Sequence, residues 1–279
     1  MPTSYTPSGV AYDRAGPPGD LPVVLIHAGV ADRRMWDSVW PSLTAEHDTV
    51  RLDLRGFGAS TRRPQAALSP VGDVIDTLAV LGVERCHLIG ASVGAGVAVE
   101  TALVRPELVE SLLLSAPGGT LIADVTPDLR EFAEAEDAAL ARGDLEGAVE
   151  ANVATWAVGP GRNADDVHPT LCEQVRRMQR LAFENTAEWD DVQEDEIEPP
   201  ALERLTHVTV PTLVLVGELD LVAIHDAAGR VVDAVPGARR VDWPDTAHLP
   251  SMERPADFVA LLREWLPSAM SRADGGGAA

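Results

Sequence analysis

The sequence contains no lysine: all 22 basic residues are arginine, set against 44 acidic ones in a chain of 279. Without a side-chain primary amine, Schiff-base, pyridoxal-lysine and Walker-type phosphate chemistry are excluded. The net charge of −22 repels phosphate backbones and anionic headgroups, so neither nucleic acid nor a membrane is expected as a partner. No apolar run is long enough for a transmembrane helix. The opening MPTSYTPSGVAYDRAGPPGD has neither a basic n-region nor an apolar h-region, so no secretory signal is visible. The two cysteines, Cys86 and Cys172, form no CxxC and no metal-type spacing. They read as reduced thiols of a cytoplasmic protein, and no metal site is expected. An interface patch would look like lid or sheet-edge apolar surface, so the sequence does not specify an oligomeric state.

What is present is an apolar chain, 46% hydrophobic, long enough for one large α/β domain or one carrying an insertion. Apolar runs of strand length alternate with helical patterns in two regions. LPVVLIHAG (21–29), HDTVRLDLRG (47–56), ERCHLIG (84–90) and VESLLLSAP (109–117) read as strands, with helices over 69–83 and 93–105. Near-continuous apolar strands joined by helical crossovers predict a mostly parallel sheet flanked by helices on both faces. The alternation stops at Gly118-Gly119. Residues 120–200 read as helical and acidic, with 20 Asp and Glu against 6 Arg. VTVPTLVLVGELD (208–220), a helix near 221–235, ARRVDW (238–243) and a helix near 255–266 then restore the sheet. The expected organisation is a core of 1–119 and 201–270, a helical lid of 120–200 between two halves of one sheet, and a frayed tail of 271–279.

The chemistry centres on LIGASVGAG (88–96), where Gly90-Ala91-Ser92-Val93-Gly94 fits G-x-S-x-G between a strand and a helix. That motif places a serine on a sharp turn, where its neighbours must be small. Alone, Ser92 could equally be a polar residue of a glycine-rich loop; a nucleophilic role requires a base and an orienting acid elsewhere. Asp220 ends a strand, the position where catalytic groups gather in open α/β sheets. Its competing reading is a helix N-cap, and Glu218 is the reserve acid. Of the seven histidines, His47 and His87 lie at the wrong ends of strands. His168 falls in the lid, His207 precedes a strand, and His225 sits one turn into a helix. His27 suits a turn-forming role. His248, between the last strand and last helix, completes the chain order Ser, Asp, His. An oxyanion hole would need the amide of Val93 and a second amide from the turn after the first long strand, with Gly29 preferred and Ala28 next.

These ordered features resemble the α/β-hydrolase superfamily. IHAG stands where that family has its HG oxyanion turn, with Ala28 in place of the usual glycine. DLRGFGAS (53–60) is similar to its D-x-R-G-x-G-x-S loop, where Asp53 and Arg55 are structural. GASVG matches its elbow, GELD its acid, and AHLPSMERP its histidine loop, with Ala247 where glycine is common. The overall style is closest to the enol-lactonase and small-ester hydrolase branch. The resemblance implies cofactor-free hydrolysis of an ester, lactone or related acyl bond of a small molecule through an acyl-enzyme. Serine at 92 sets aside the branches with an aspartate nucleophile, and Val93 argues against the proline-iminopeptidase-like branch. A lyase, cyclase or perhydrolase on the same fold, or a ligand-binding protein on a hydrolase scaffold, are the alternatives. Trp36, Trp156 and Phe183 are candidate pocket residues. The lid aromatics, Phe132 and Trp189 included, either wall that pocket or pack the lid itself. The acidic lid is either a solvated face or a field that disfavours anionic substrates.

Overall fold

The computed structural model describes residues 3–19 and 21–275, the last nine of them by backbone alone. Eight strands form one sheet: β1 (Ser4–Tyr5), β2 (Ala11–Ala15), β3 (Val23–Ile26), β4 (Thr49–Leu52), β5 (Cys86–Ala91), β6 (Val109–Ser115), β7 (Thr212–Gly217) and β8 (Arg239–Trp243). Their order across the sheet is β1-β2-β4-β3-β5-β6-β7-β8. β1 and β2 pair antiparallel, as do β2 and β4; every other neighbouring pair is parallel. The six strands from β3 onward fall on the stretches read as strands in the sequence, with β5 reaching one residue further, to Ala91. β1 and β2 sit at the sheet edge, where half-exposed residues such as Tyr12, Asp13 and Arg14 leave no apolar run to read.

The central strands are largely apolar because both faces are covered. In β3, Val24 and Ile26 point into one core with Leu88, Leu112 and Val214, whereas Val23 and Leu25 point into the other with Ile89, Leu113 and Leu213. This is the period-2 alternation of a strand buried on both sides. Helices α1 (Trp40–Glu46), α2 (Pro70–Val80) and α3 (Val93–Val104) connect the first strands. α2 begins at a serine cap, with Ser69 Oγ accepting the Gly72 N–H at 3.3 Å and Pro70 in the first turn.

Between β6 and β7 the described residues contain no strand, only an isolated bridge from Leu68 to Glu194. This segment folds into α4 (Pro127–Ala141), α5 (Leu145–Asn152), a π-helix (Val153–Val158) and α6 (Pro169–Thr186), before α7 (Ala201–Arg204) leads back to the sheet. Its inner side joins the second core through Val149, Val153, Leu171, Val175 and Met178. α8 (Val222–Ala234), α9 (Pro250–Glu253) and α10 (Pro255–Gly275) complete the chain. α10 runs into the segment read from sequence as a tail, and residues 276–279 lie outside the described residues. Among the described residues no helix is long and apolar enough to cross a membrane.

Candidate active site

Ser92 occupies the one-residue turn between β5 and α3, with φ 53° and ψ −118°. A non-glycine residue held there is strained by about 1–3 kcal/mol and persists only where the surroundings fix it. Here the Ser92 N–H donates to the Ser115 carbonyl at 2.9 Å. The Ser92 carbonyl accepts from Ala95 at 2.8 Å and from Gly118 at 3.1 Å. The flanking glycines are steric requirements of this turn. A Cβ on Gly90 would sit 2.2 Å from the Gly94 carbonyl oxygen, and one on Gly94 would sit 2.5 Å from that of His27.

Asp220 lies just past the end of β7 and His248 past β8, both buried. The imidazole Nδ1 meets both carboxylate oxygens, at 2.9 and 3.0 Å. A carboxylate only accepts, so Nδ1 carries the proton, and in the neutral ring Nε2 is left with a lone pair. Asp220 does not cap α8, whose N-cap is Leu221; its Oδ1 takes the Leu221 N–H at 2.8 Å. Glu218 is exposed. The Trp156 ring packs on the His248 imidazole at 4.4 Å and on Phe132 at 5.1 Å. Trp156 belongs to the π-helix, an irregularity that recurs at functional sites.

Ser92 and His248 line one cavity of about 260 Å³, together with Gly29, Val93, Trp156 and Phe183. Among the described residues no protein acceptor takes the amide N–H of Gly29 or of Val93. Ala28 holds an ordinary backbone conformation and is fully buried, its N–H directed at Met35 Sδ at 3.3 Å. At 29 an added Cβ would lie 3.0 Å from Val93 Cγ2, a tight contact that the valine side chain would have to ease. Phe132 also lines the cavity.

Trp36 departs from expectation. It is fully buried, packs against Phe258 at 5.8 Å, and does not line the cavity. Its helical turn faces the second core, where a large aromatic fills the space between the sheet and α10. Trp189 is likewise absent from the cavity wall and lies over Gly56. Three polar residues of the wall, Glu136, Asn152 and Gln179, carry no signal in the sequence. They belong to helices remote from every motif, and only the packing of α4, α5 and α6 brings them together.

The remaining motif residues act on the scaffold. His27 donates from Nδ1 to the Ala28 carbonyl at 2.8 Å and accepts the Leu54 N–H on Nε2 at 2.9 Å. Burial holds its pKa below the ordinary histidine range, which keeps it neutral. Asp53 is paired with Arg33 and accepts the Arg33 and Ala59 amides at 2.8 and 2.7 Å. Arg55 binds Asp73 through two bonds of 2.5 and 3.1 Å.

Comparison with known proteins agrees with this architecture. Over 262 residues the chain is 26% identical to the pimeloyl-[acyl-carrier protein] methyl ester esterase of Aeromonas hydrophila subsp. hydrophila, covering 92% of this chain and 99% of that one. It is 28% identical over 263 residues to the rhodomycin D methylesterase DauP of Streptomyces sp. (strain C5), covering 84% of this chain and 86% of the relative. The enol-lactonase of Burkholderia xenovorans LB400 superposes with a TM-score of 0.75 at 20% identity, over 95% of this chain and all of that one, a likeness of fold. The model of the Alpha/beta hydrolase family matches residues 23–261, and the chain belongs to that family.

Proposed function

We propose that this hydrolase cleaves a carboxylic ester or lactone of a small molecule through an acyl-enzyme on Ser92. The observation that carries the reading is the His248 imidazole: Asp220 fixes its Nδ1, and the ring opens on the cavity that Ser92 shares. Ser92 Oγ attacks the carbonyl carbon while Nε2 of His248 takes the hydroxyl proton. The carbonyl electrons move to an oxyanion held by the Gly29 and Val93 amides, aided by the positive end of α3. Collapse expels the alkoxide, which takes the proton from His248. Water, deprotonated by the same nitrogen, then releases the acid and restores Ser92. Asp220 holds the imidazole in the required tautomer and stabilises its charged form.

The named activities of the relatives support ester chemistry, since two of them act on methyl esters. In this reading 1–119 and 201–270 form the hydrolase core, and 120–200 is the lid that closes the cavity with Phe132, Trp156 and Phe183. The test is a panel of esters, lactones and thioesters run with wild type and Ser92→Ala, beside fluorophosphonate labelling of folded protein. Turnover and labelling are expected to require Ser92. A Ser92→Ala variant with near wild-type turnover overturns the mechanism.

A further inference from the structure

The cavity wall combines apolar rings with a polar group contributed by three successive helices: Glu136 from α4, Asn152 from α5 and Gln179 from α6. Asn152 is committed to the protein. Its Nδ2 donates to Oε1 of Glu136 and to the Ala148 carbonyl, the latter at 3.0 Å. The Glu136 carboxylate is therefore held in place by one oxygen, and its other oxygen has no protein donor among the described residues. Burial raises the Glu136 pKa, and the hydrogen bond from Asn152 works against that rise.

Gln179 is the more telling residue. It is 6% exposed, and its side-chain oxygen is buried with no hydrogen-bond partner among the described residues. An unpaired buried amide costs about 1–3 kcal/mol, and a native protein rarely tolerates one without a purpose. The ordinary solution on an enclosing apolar wall is a leucine or methionine, which fills similar volume with no polar atom. A carboxamide and a carboxylate on the wall of the cavity that Ser92 lines offer acceptors to a bound donor.

Resting on the ester-hydrolase reading above, we propose that Glu136 and Gln179, with Asn152 as the residue that orients Glu136, select substrates carrying a neutral hydrogen-bond donor, an amide N–H or a hydroxyl, on the part that reaches this wall. A purely aliphatic chain leaves both acceptors unpaired. A chain ending in a carboxylate meets Glu136 as a like charge. A secondary amide supplies an N–H for one of these oxygens and a carbonyl acceptor for the Gln179 amide N–H.

The test uses three 4-nitrophenyl esters of equal chain length: N-acetyl-β-alanyl, 5-oxohexanoyl, in which a methylene replaces the N–H, and the glutaryl monoester, which ends in a carboxylate. Wild type is expected to prefer the amide over the methylene ester by roughly ten-fold or more in kcat/KM, the worth of one hydrogen bond, with the glutaryl ester poorest. Gln179→Leu is expected to bring the amide-to-methylene ratio to within about two-fold. A wild-type ratio within two-fold overturns the proposal, and that result alone decides if Gln179→Leu does not fold. Binding of the amide and methylene esters to Ser92→Ala, measured as a Kd ratio, reads the same preference without turnover. Loss of turnover of all three in Ser92→Ala, with equal rates in wild type, would retain the serine mechanism and reject this selectivity.

Discussion

Arg162, in the helical segment between β6 and β7, forms a buried ion pair of 2.7 Å with Glu253 in α9. The other oxygen of Glu253 accepts the Ala247 N–H at 2.8 Å, one residue before His248. The same loop is gripped from above by Gly159, where an added Cβ would sit 2.6 Å from that of Ala247. Alanine at 247 is thus accommodated by glycine in the facing segment. The histidine loop and the helical segment are set as one unit.

Breaking that pair from either side leaves a charge buried about nine-tenths from water. Arg162→Met and Glu253→Gln are each expected to lose about 3–5 kcal/mol of stability, and the double variant less than the sum. Urea unfolding of the three proteins measures this. Both singles should also lower kcat on any ester the wild type cleaves, because the His248 loop loses its anchor. Additive losses in the cycle would mean the two side chains act separately.

Asp220→Asn retains size and burial but offers His248 an amide instead of a carboxylate. The fold is expected to survive, while kcat falls by roughly 10⁴ through loss of the productive tautomer. Circular dichroism and steady-state kinetics on the same preparation separate the two effects. A loss below ten-fold would remove Asp220 from the mechanism.

Glycine positions should divide sharply by what surrounds them. Gly94→Ala places a methyl 2.5 Å from the His27 carbonyl oxygen and 2.6 Å from that of Ile26. It is expected to prevent folding, because two strands and a helix meet there. Gly82 has φ 66° and no atom within 4 Å of an added Cβ, so Gly82→Ala should cost only about 1–2 kcal/mol of backbone strain. Soluble yield and urea midpoints test the contrast.

The buried His87, bonded to Ser111 at 2.8 Å, has a pKa lowered from 6.5 to about 4, first by burial and then by His47 and Arg85. The unfolded chain therefore binds a proton over that interval that the folded protein refuses. Stability is expected to fall as pH drops from 6.5 toward 4, by on the order of 1–3 kcal/mol from this residue, and to be unaffected by it above 6.5. In His87→Gln this contribution disappears. Parallel pH slopes for the two proteins in thermal melts would contradict the assignment.

How much of this is legible in the chain depends on the range of the interaction. Strands β3, β5, β6 and β7 are written as largely apolar runs because burial on both faces demands it locally. The Ser92 turn is readable because its crowding demands glycine two positions to either side, at 90 and 94. β1 and β2 escape because an edge strand with one wet face, such as AYDRA, needs no such run. Trp36 reads as a pocket residue from its place after the oxyanion turn, but the turn directs it into the core beside Phe258. The polar wall cannot be read at all. Glu136, Asn152 and Gln179 lie far apart along the chain, and nothing local tells a cavity-facing glutamine from a surface one.

The parallel pairing of β6 with β7, with Leu112 opposite Thr212 and Ser115 opposite Leu215, has a consequence for change over evolutionary or laboratory time. A parallel neighbour can be reached only by carrying the chain from the top of one strand to the foot of the next, so a crossover here is obligatory at any length. α7 makes the final descent, with Ala201 and Leu205 in the first core and Arg204 bonded to the Leu103 carbonyl at 3.0 Å. Everything between Gly118 and α7 is an expansion of a link the sheet already required. Changes within that stretch are expected to leave the strand register in place where α7 stays anchored and where Val149, Val153, Leu171 and Val175 of the second core, with Gly159 and Arg162 against the His248 loop, are kept. The cavity wall can thus be redrawn while Ser92, Asp220 and the strands that present them stay where they are.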